Sequence, residues 1–275
     1  MVSVSTAAPG GPRTVDVRRA SDRFVTRAGW LDSSHSFSFG PHYDPSNTHF
    51  GLLLVSNDDV VAPGTGFDTH PHRDMEIVTW VLRGSLVHQD STGHHGIVYP
   101  GLAQRMSAGT GILHSEKNDA WRPLHPHAAP DAAEPVHFVQ MWVLPDEDGA
   151  TPGYEQLDIA PADLSGGWAT VASGMARHAD RAAIRIGQRH AALHAARLRG
   201  GEAVALPTAP YVHLYVAAGA VDLEGPEGMR RLDTGDAVRV TRVEGERLVA
   251  RSTGVASGPA EVLAWEMHAA LTAGG

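Results

Sequence analysis

The sequence contains no cysteine. Disulfides, thiolate-ligated zinc, iron–sulfur clusters and thiolate nucleophiles are excluded together. Lysine is nearly absent too. Lys117 is the single one among 22 basic residues, which stand against 31 acidic residues for a formal charge of −9. No basic run exceeds two residues (Arg18-Arg19, Arg230-Arg231). A nucleic-acid-binding face needs clustered positive charge, so no nucleic-acid contact is expected. No stretch approaches the ~18 apolar residues of a membrane helix. Residues 1–13 hold no apolar stretch behind a basic start, the mark of a secretory signal. The expectation is a cytoplasmic protein with no membrane contact.

What is present is enough to fold. The 275 residues are 42% apolar and 19% charged, which allows a packed core. At ~100–200 residues per domain, the length fits two domains or one large β domain. The pattern along the chain is of short apolar runs cut by turn residues. Residues 51–55, 76–82, 85–88, 97–99, 112–114 and 136–144 read as strands, with a hairpin at Arg83-Gly84. A second set follows at 211–216, 221–223, 237–243, 247–250 and 262–265. The Ala-rich segment 181–197 could pass for a helix, but Ile184, Ile186, Leu193 and Leu198 keep no helical stripe. Residues 145–174 read as a loop-like interdomain segment. The two strand sets form a degenerate repeat. Segment 76–90 lays on 211–225, matching Gly84 to Gly219, and segment 101–111 lays on 235–245, matching Gly111 to Gly245. Two β-barrel-like units are the economical reading.

Seventeen histidines are the chain's chemical resource; twelve lie at or before His137 and five after it. His70-Pro71-His72 places two imidazoles at i and i+2, on one face of an extended segment. His114-Ser115-Glu116 does the same with an imidazole and a carboxylate. Two such pairs on neighbouring strands would supply a three-nitrogen, one-oxygen donor set. That set suits a divalent iron, manganese, cobalt, nickel or copper ion with positions left open. His125-Pro126-His127 repeats the tripeptide inside a Pro/Ala-rich stretch with no strand beside it, and reads as a solvated loop. Thr69, Asp74, Gln104 and Gln140 are candidate partners for the second ring nitrogens of the ligands.

The spacing Gly64, His70-x-His72, Glu76, Gly84 resembles the first cupin motif, although seven residues separate Glu76 from Gly84, one more than usual. The second motif departs further: Ser107-Ala108-Gly109 is followed by His114 and Glu116. With the blocks THPHRDMEIVTWVLRGSLVHQDSTG (69–93), MSAGTGILHSE (106–116), GWLDSSHSFSFGPHYDP (29–45) and QMWVLPDEDGATPGYEQ (140–156), the sequence resembles the pirin family. The likeness is nearest to bacterial pirin-like members described as quercetin 2,3-dioxygenases. It is strong over residues 15–157 and weak beyond them.

The resemblance implies an all-β bicupin, two tandem jelly-roll-like barrels. Residues 1–14 would be a flexible tail, 15–148 the metal-binding barrel, and 149–275 a cupin-like unit without metal ligands. His70, His72, His114 and Glu116 match the family's metal ligands, and Glu76 is not one of them. The repeat sets these four opposite Ala205, Pro207, Leu248 and Ala250, none of which can ligate through a side chain. His194 and His213 read as structural. The family implies one metal, Fe(II) foremost, with Mn, Co, Ni or Cu as alternatives. It implies a flavonol such as quercetin bound through its deprotonated 3-hydroxyl, cleavage by dioxygen, and loss of carbon monoxide. Glu116 would be ligand and proton acceptor, with Phe67, Met106 and Gln140 lining the substrate pocket. A metal-bound redox sensor or regulatory binding protein is the alternative, and a storage or structural bicupin the third reading. A monomer is expected, and segment 120–135 looks like an insertion.

Overall fold

The computed structural model describes every residue except 1, 8, 11, 119–133, 251–257, 274 and 275. The insertion and His125-Pro126-His127 thus fall almost wholly outside the described residues. In chain order the strands are β1 (Val2–Ser5), β2 (Thr14–Arg18), β3 (Phe24–Arg27), β4 (Leu31–His35), β5 (Leu53–Val61), β6 (Gly66–His72), β7 (Glu76–Arg83), β8 (Leu86–Asp90), β9 (His95–Val98), β10 (Leu102–Ser107), β11 (Ile112–Lys117), β12 (Val136–Val143) and β13 (Gly153–Asp158). They continue with β14 (Ala169–Ser173), β15 (Ile184–Arg185), β16 (Ala191–Leu198), β17 (Ala203–Ala205), β18 (Tyr211–Ala218), β19 (Ala220–Gly225), β20 (Gly228–Asp233), β21 (Ala237–Thr241), β22 (Arg247–Ala250), β23 (Ala260–Met267) and β24 (Ala270–Ala273). Two single-turn 3-10 segments, Ala20–Asp22 and Ala176–His178, are the helical elements among the described residues. None of the described helices is long and apolar enough to cross a membrane.

The sheets come in two similar pairs. A seven-stranded sheet (β13-β10-β7-β12-β5-β4-β3) faces a four-stranded one (β6-β11-β8-β9), and the second half repeats this with β15-β14-β16-β23-β18-β21-β2 and β17-β22-β19-β20. The two units that the repeat implied are present, and the architecture is the bicupin that the resemblance implied. Gly84 and Gly219, matched in the sequence, sit at equivalent hairpins with φ of +75° and +76°, backbone that an L side chain adopts only with strain.

The central strands are buried on both faces, which is why they read as unbroken apolar runs. Val78 and Trp80 of β7, Met141 of β12, Tyr215 of β18 and Leu263 and Trp265 of β23 share one core between the two large sheets. Alternate residues turn into the barrels: Val81 and Phe138 into the first, Val212, Leu214 and Val262 into the second. Polar bonds tie the two halves across this core. The Trp80 indole donates to Glu261 at 2.7 Å, and the Trp265 indole to the Met141 sulfur at 3.2 Å. The Tyr215 hydroxyl donates to Asp58, which also accepts from His137 Nε2 at 2.8 Å.

Several expectations need correction. The tail is not featureless: β1 pairs with β24 in a two-stranded sheet. β2, counted with the first unit, is an edge strand of the second, paired with β21. Within the segment read as interdomain loop, β13 pairs with β10 at the edge of the first large sheet and β14 belongs to the second. Segment 181–197 is not a helix but contains β15 and most of β16.

The shared core predicts that the halves melt together. Trp265→Ala should cost about 3–5 kcal/mol and keep a single unfolding transition by circular dichroism, whereas two separated transitions would contradict this. Burial alone would raise the Asp58 carboxyl, but its bonds to His137 and Tyr215 outweigh burial and hold it below the ordinary Asp value. A carboxyl lowered by folding contributes stability above its unfolded value, and the contribution disappears as the pH falls through the folded value. Asp58→Asn should therefore destabilise at pH 7, with the gap from wild type closing in acid.

Candidate metal centre

His70 and His72 stand at alternate positions near the end of β6 and so share a face. β11 runs antiparallel beside it in a register that sets His114 opposite His70 and Ile112 opposite His72. The ring centroids lie 4.8 Å apart for His70 and His72, 4.4 Å for His70 and His114, and 4.9 Å for His72 and His114. A bulge between His114 and Glu116 then shifts the pairing, so that Glu116 stands across from Phe67. Glu116 and His114 remain on the buried face of β11.

The hydrogen bonding of this cluster is incomplete in an informative way. His72 Nε2 and both ring nitrogens of His114 are buried with no hydrogen-bond partner. His70 Nδ1 contacts the Asp68 carbonyl at 2.7 Å. A carbonyl only accepts, so Nδ1 carries a proton and Nε2 is the nitrogen left to face the cluster. Burial first, then the neighbouring imidazoles, push His72 and His114 down to about 3. The rings are neutral at pH 7. A buried polar atom left unpartnered costs about 1–3 kcal/mol, and converging lone pairs are relieved together by one cation. The donor chemistry therefore fits a transition metal.

Glu116 is held from the large sheet. Gln140 Nε2 donates to both carboxylate oxygens, at 2.9 and 2.8 Å. The Trp142 indole donates to Gln140 Oε1 at 3.2 Å. An indole N–H cannot accept, so this bond fixes which way the amide points. Burial pushes the Glu116 carboxyl up, and the Gln140 bonds partly offset it.

The ligating atoms of His70, His72 and His114 all lie within 4.8 Å of one another, as do those of His88, His114 and Glu116. Glu116 thus meets the histidine cluster through His114 and His88. Glu76, the alternative carboxylate, belongs to neither group; it accepts from Ser107 Oγ at 2.9 Å. Among the expected second partners, Gln140 serves Glu116 rather than a histidine, and Asp74 accepts from the Gly149 amide at 2.6 Å; the partner of His70 is instead the Asp68 carbonyl. His88 was missed in the sequence. It lies across from Glu116 on β8, its ring stacked 4.7 Å from Tyr154 and 5.4 Å from His114. The signal was there: His88-x-Asp90 is a third i, i+2 pair, and Nε2 lies 3.4 Å from Asp90.

Two cavities flank the cluster. One of 490 Å³ is lined by Pro71, His72, Thr110 and Leu113; the other, of 440 Å³, by Trp30, Phe67, His70 and Lys117. Phe67 packs edge-on against Trp30, with centroids 5.2 Å apart. Trp142 stands edge-on to His72 at 4.8 Å. Met106 is buried with Ile77, Ala108 and Ile112, and Trp142 packs on this group.

A family model described as Pirin matches residues 16–143. Rv0181c of Mycobacterium tuberculosis is 56% identical over 258 residues, covering 94% of this chain and 97% of its own. A protein of Escherichia coli K12 named quercetin 2,3-dioxygenase is 49% identical over 140 residues, 51% of this chain and 56% of its own. Among solved structures, YhhW from Escherichia coli superposes with a TM-score of 0.77 at 35% identity, covering 92% of this chain and 97% of that one. The same protein, titled a bacterial pirin in complex with nickel(II), gives 0.76 at 35% identity, covering 92% and 99%.

The pairing of β6 with β11 depends on Gly66. Its φ is +148°, and a Cβ there would lie 2.3 Å from the Glu116 carbonyl oxygen. Gly66→Ala should cost at least about 1–3 kcal/mol in chemical denaturation, and an unchanged midpoint would contradict this geometry.

Proposed function

Because the chain belongs to the pirin family, we propose that it is a metal-dependent dioxygenase that cleaves a flavonol such as quercetin. The observation that carries this reading is the convergence of three imidazoles, two of them (His72 and His114) with buried unpartnered nitrogens, beside the buried carboxylate of Glu116. His70, His72, His114 and Glu116 are the ligands in this reading, and Fe(II) is the ion. The metal supplies Lewis acidity and a template for an anionic oxygen.

The chain's own residues do the rest. Three neutral imidazoles and one carboxylate carry a single negative charge, so a divalent ion keeps one positive charge. In a buried site that excess favours an ionised hydroxyl over a neutral one. The raised carboxyl of Glu116 suits it to take the proton of the flavonol 3-hydroxyl. Gln140 keeps the carboxylate aimed while it does so. Trp142, beside His72, and Phe67, beside His70, give the aromatic substrate apolar walls. In the overall reaction one carbon leaves as carbon monoxide, and both atoms of dioxygen end in the ring-opened ester.

The test is quercetin loss with carbon monoxide release by the Fe(II)-loaded protein under air and under nitrogen. Oxygen-dependent turnover is expected. His114→Ala should lose metal and turnover together. Gln140→Leu should keep its metal but lose about 10–100-fold in rate. His125→Ala should keep both. Full metal content with no turnover for any of the five candidate metals would overturn the dioxygenase and leave the regulatory reading.

A further inference from the structure

The second barrel holds a cluster outside the repeat-equivalent positions. His178 ends the 3-10 turn Ala176–His178, His194 lies on β16, and Glu266 on β23. All three are buried, and their ligating atoms lie within 4.8 Å of one another. Its place in the barrel is specific. In the first barrel Trp142 of β12 pairs with Ile77 of β7; at the matching position of the second, Glu266 of β23 pairs with Val212 of β18. The residues that share its face of β23, Val262 and Ala264, belong to the second barrel's core. Glu266 is thus a carboxylate where the first barrel keeps the indole beside His72.

The cluster is already organised around a cation. Arg177 Nε donates to His178 Nε2 at 3.3 Å, and Arg177 Nη2 donates to Glu266 Oε1 and contacts His268 Nε2 at 2.8 Å. A guanidinium only donates, so His178 Nε2 presents a lone pair and its Nδ1–H is free to bond Ser173 Oγ at 3.0 Å. His268 Nε2 also lies 2.9 Å from Glu266 Oε1. It cannot donate to the carboxylate and accept from the arginine at once. His194 Nε2 stands 2.8 Å from Glu266 Oε2, and its Nδ1 stands 3.3 Å from Thr170 Oγ1. Two donor atoms at that separation, each ~2.1 Å from an ion, subtend about 84°, close to an octahedral right angle. Thr170 offers an acceptor for Nδ1–H once Nε2 binds metal, so a tautomer change alone frees the donor.

We propose that His178, His194 and Glu266 form a second divalent-metal site, with His268 as a further donor and Arg177 as the cation that the metal displaces. The ion is of the nitrogen- and oxygen-preferring class: zinc, nickel, cobalt or iron(II). Arg177 can leave because its side chain is half-exposed, at 51%. A cavity of 370 Å³ lined by Trp168, Arg181 and Thr208, together with the cluster, opens beside it. His194, read from the sequence as structural, becomes a ligand on this view.

Zinc(II) titration of the full chain by calorimetry, with cobalt(II) absorption as a second readout, tests the proposal. Wild type should bind two equivalents. His70→Ala/His114→Ala should retain one, which separates this site from the one in the first barrel. Glu266→Gln should also retain one. Arg177→Ala, at an exposed position where folding is safe, should tighten the second equivalent at least fivefold. One equivalent in both wild type and Arg177→Ala would overturn the site. So would a second equivalent lost with His125→Ala/His127→Ala but kept in Glu266→Gln.

Discussion

Burial of β7, β12, β18 and β23 on both faces is the constraint on which the rest depends. A strand packed on both sides cannot slide, because a one-residue slip would exchange its two apolar sets. β12 is locked by β5 on one edge, β7 on the other and the second barrel behind it. Only then are Gln140 and Trp142 fixed on its inner face. Gln140 in turn aims Glu116, and Trp142 limits the space around His72. Among the described residues the second barrel contributes no side chain to the histidine cluster, yet it sets the precision of the sheet that faces it. Its covalent continuity reinforces this, since β2 lies in the second large sheet before β3 enters the first.

The small sheet has the opposite character. β6 is half-exposed along much of its length, and its hold on β11 comes from backbone pairing and from Gly66. The histidine-bearing face is therefore built on the softer of the two sheets. Three orphaned ring nitrogens in that place are a standing cost in the metal-free chain. A cation that took one lone pair each from His72 and His114 would stabilise the native state by linkage, and would stiffen the softer sheet.

Much of this is legible in the sequence. Alternation put His70 with His72 and His114 with Glu116, and the repeat separated a histidine-bearing half from one with Ala205, Pro207, Leu248 and Ala250. What escaped has a common physical origin: pairing between residues distant in sequence leaves no local trace. β2 with β21 and β1 with β24 are such pairs, and the N-terminal segment that carries them is rich in Ser, Ala, Pro and Gly. β13 hides for another reason. It is a partly exposed edge strand, Gly-Tyr-Glu-Gln-Leu-Asp, preceded by turn residues, so neither an apolar run nor strict alternation marks it. His88 was overlooked because its strand was recognised only as half of a hairpin.

The two barrels diverged by exchanging what lies on equivalent inward positions. Thr79 pairs with Gln140 in the first; the matching pair in the second is Leu214 with Ala264. The first barrel kept polar groups that hold Glu116, and the second replaced them with hydrocarbon. An apolar column has no need of a carboxylate, so Glu266 at its end requires its own account. It is not left as a bare charge: His194, His268 and Arg177 all reach it. These partners offset the cost of burying the carboxylate, and the half-exposed Arg177 is the one that can be exchanged for another cation. A second ligand set a layer away would account for three of the five histidines, His178, His194 and His268, in a half whose repeat-equivalent ligand positions are alanine, proline and leucine.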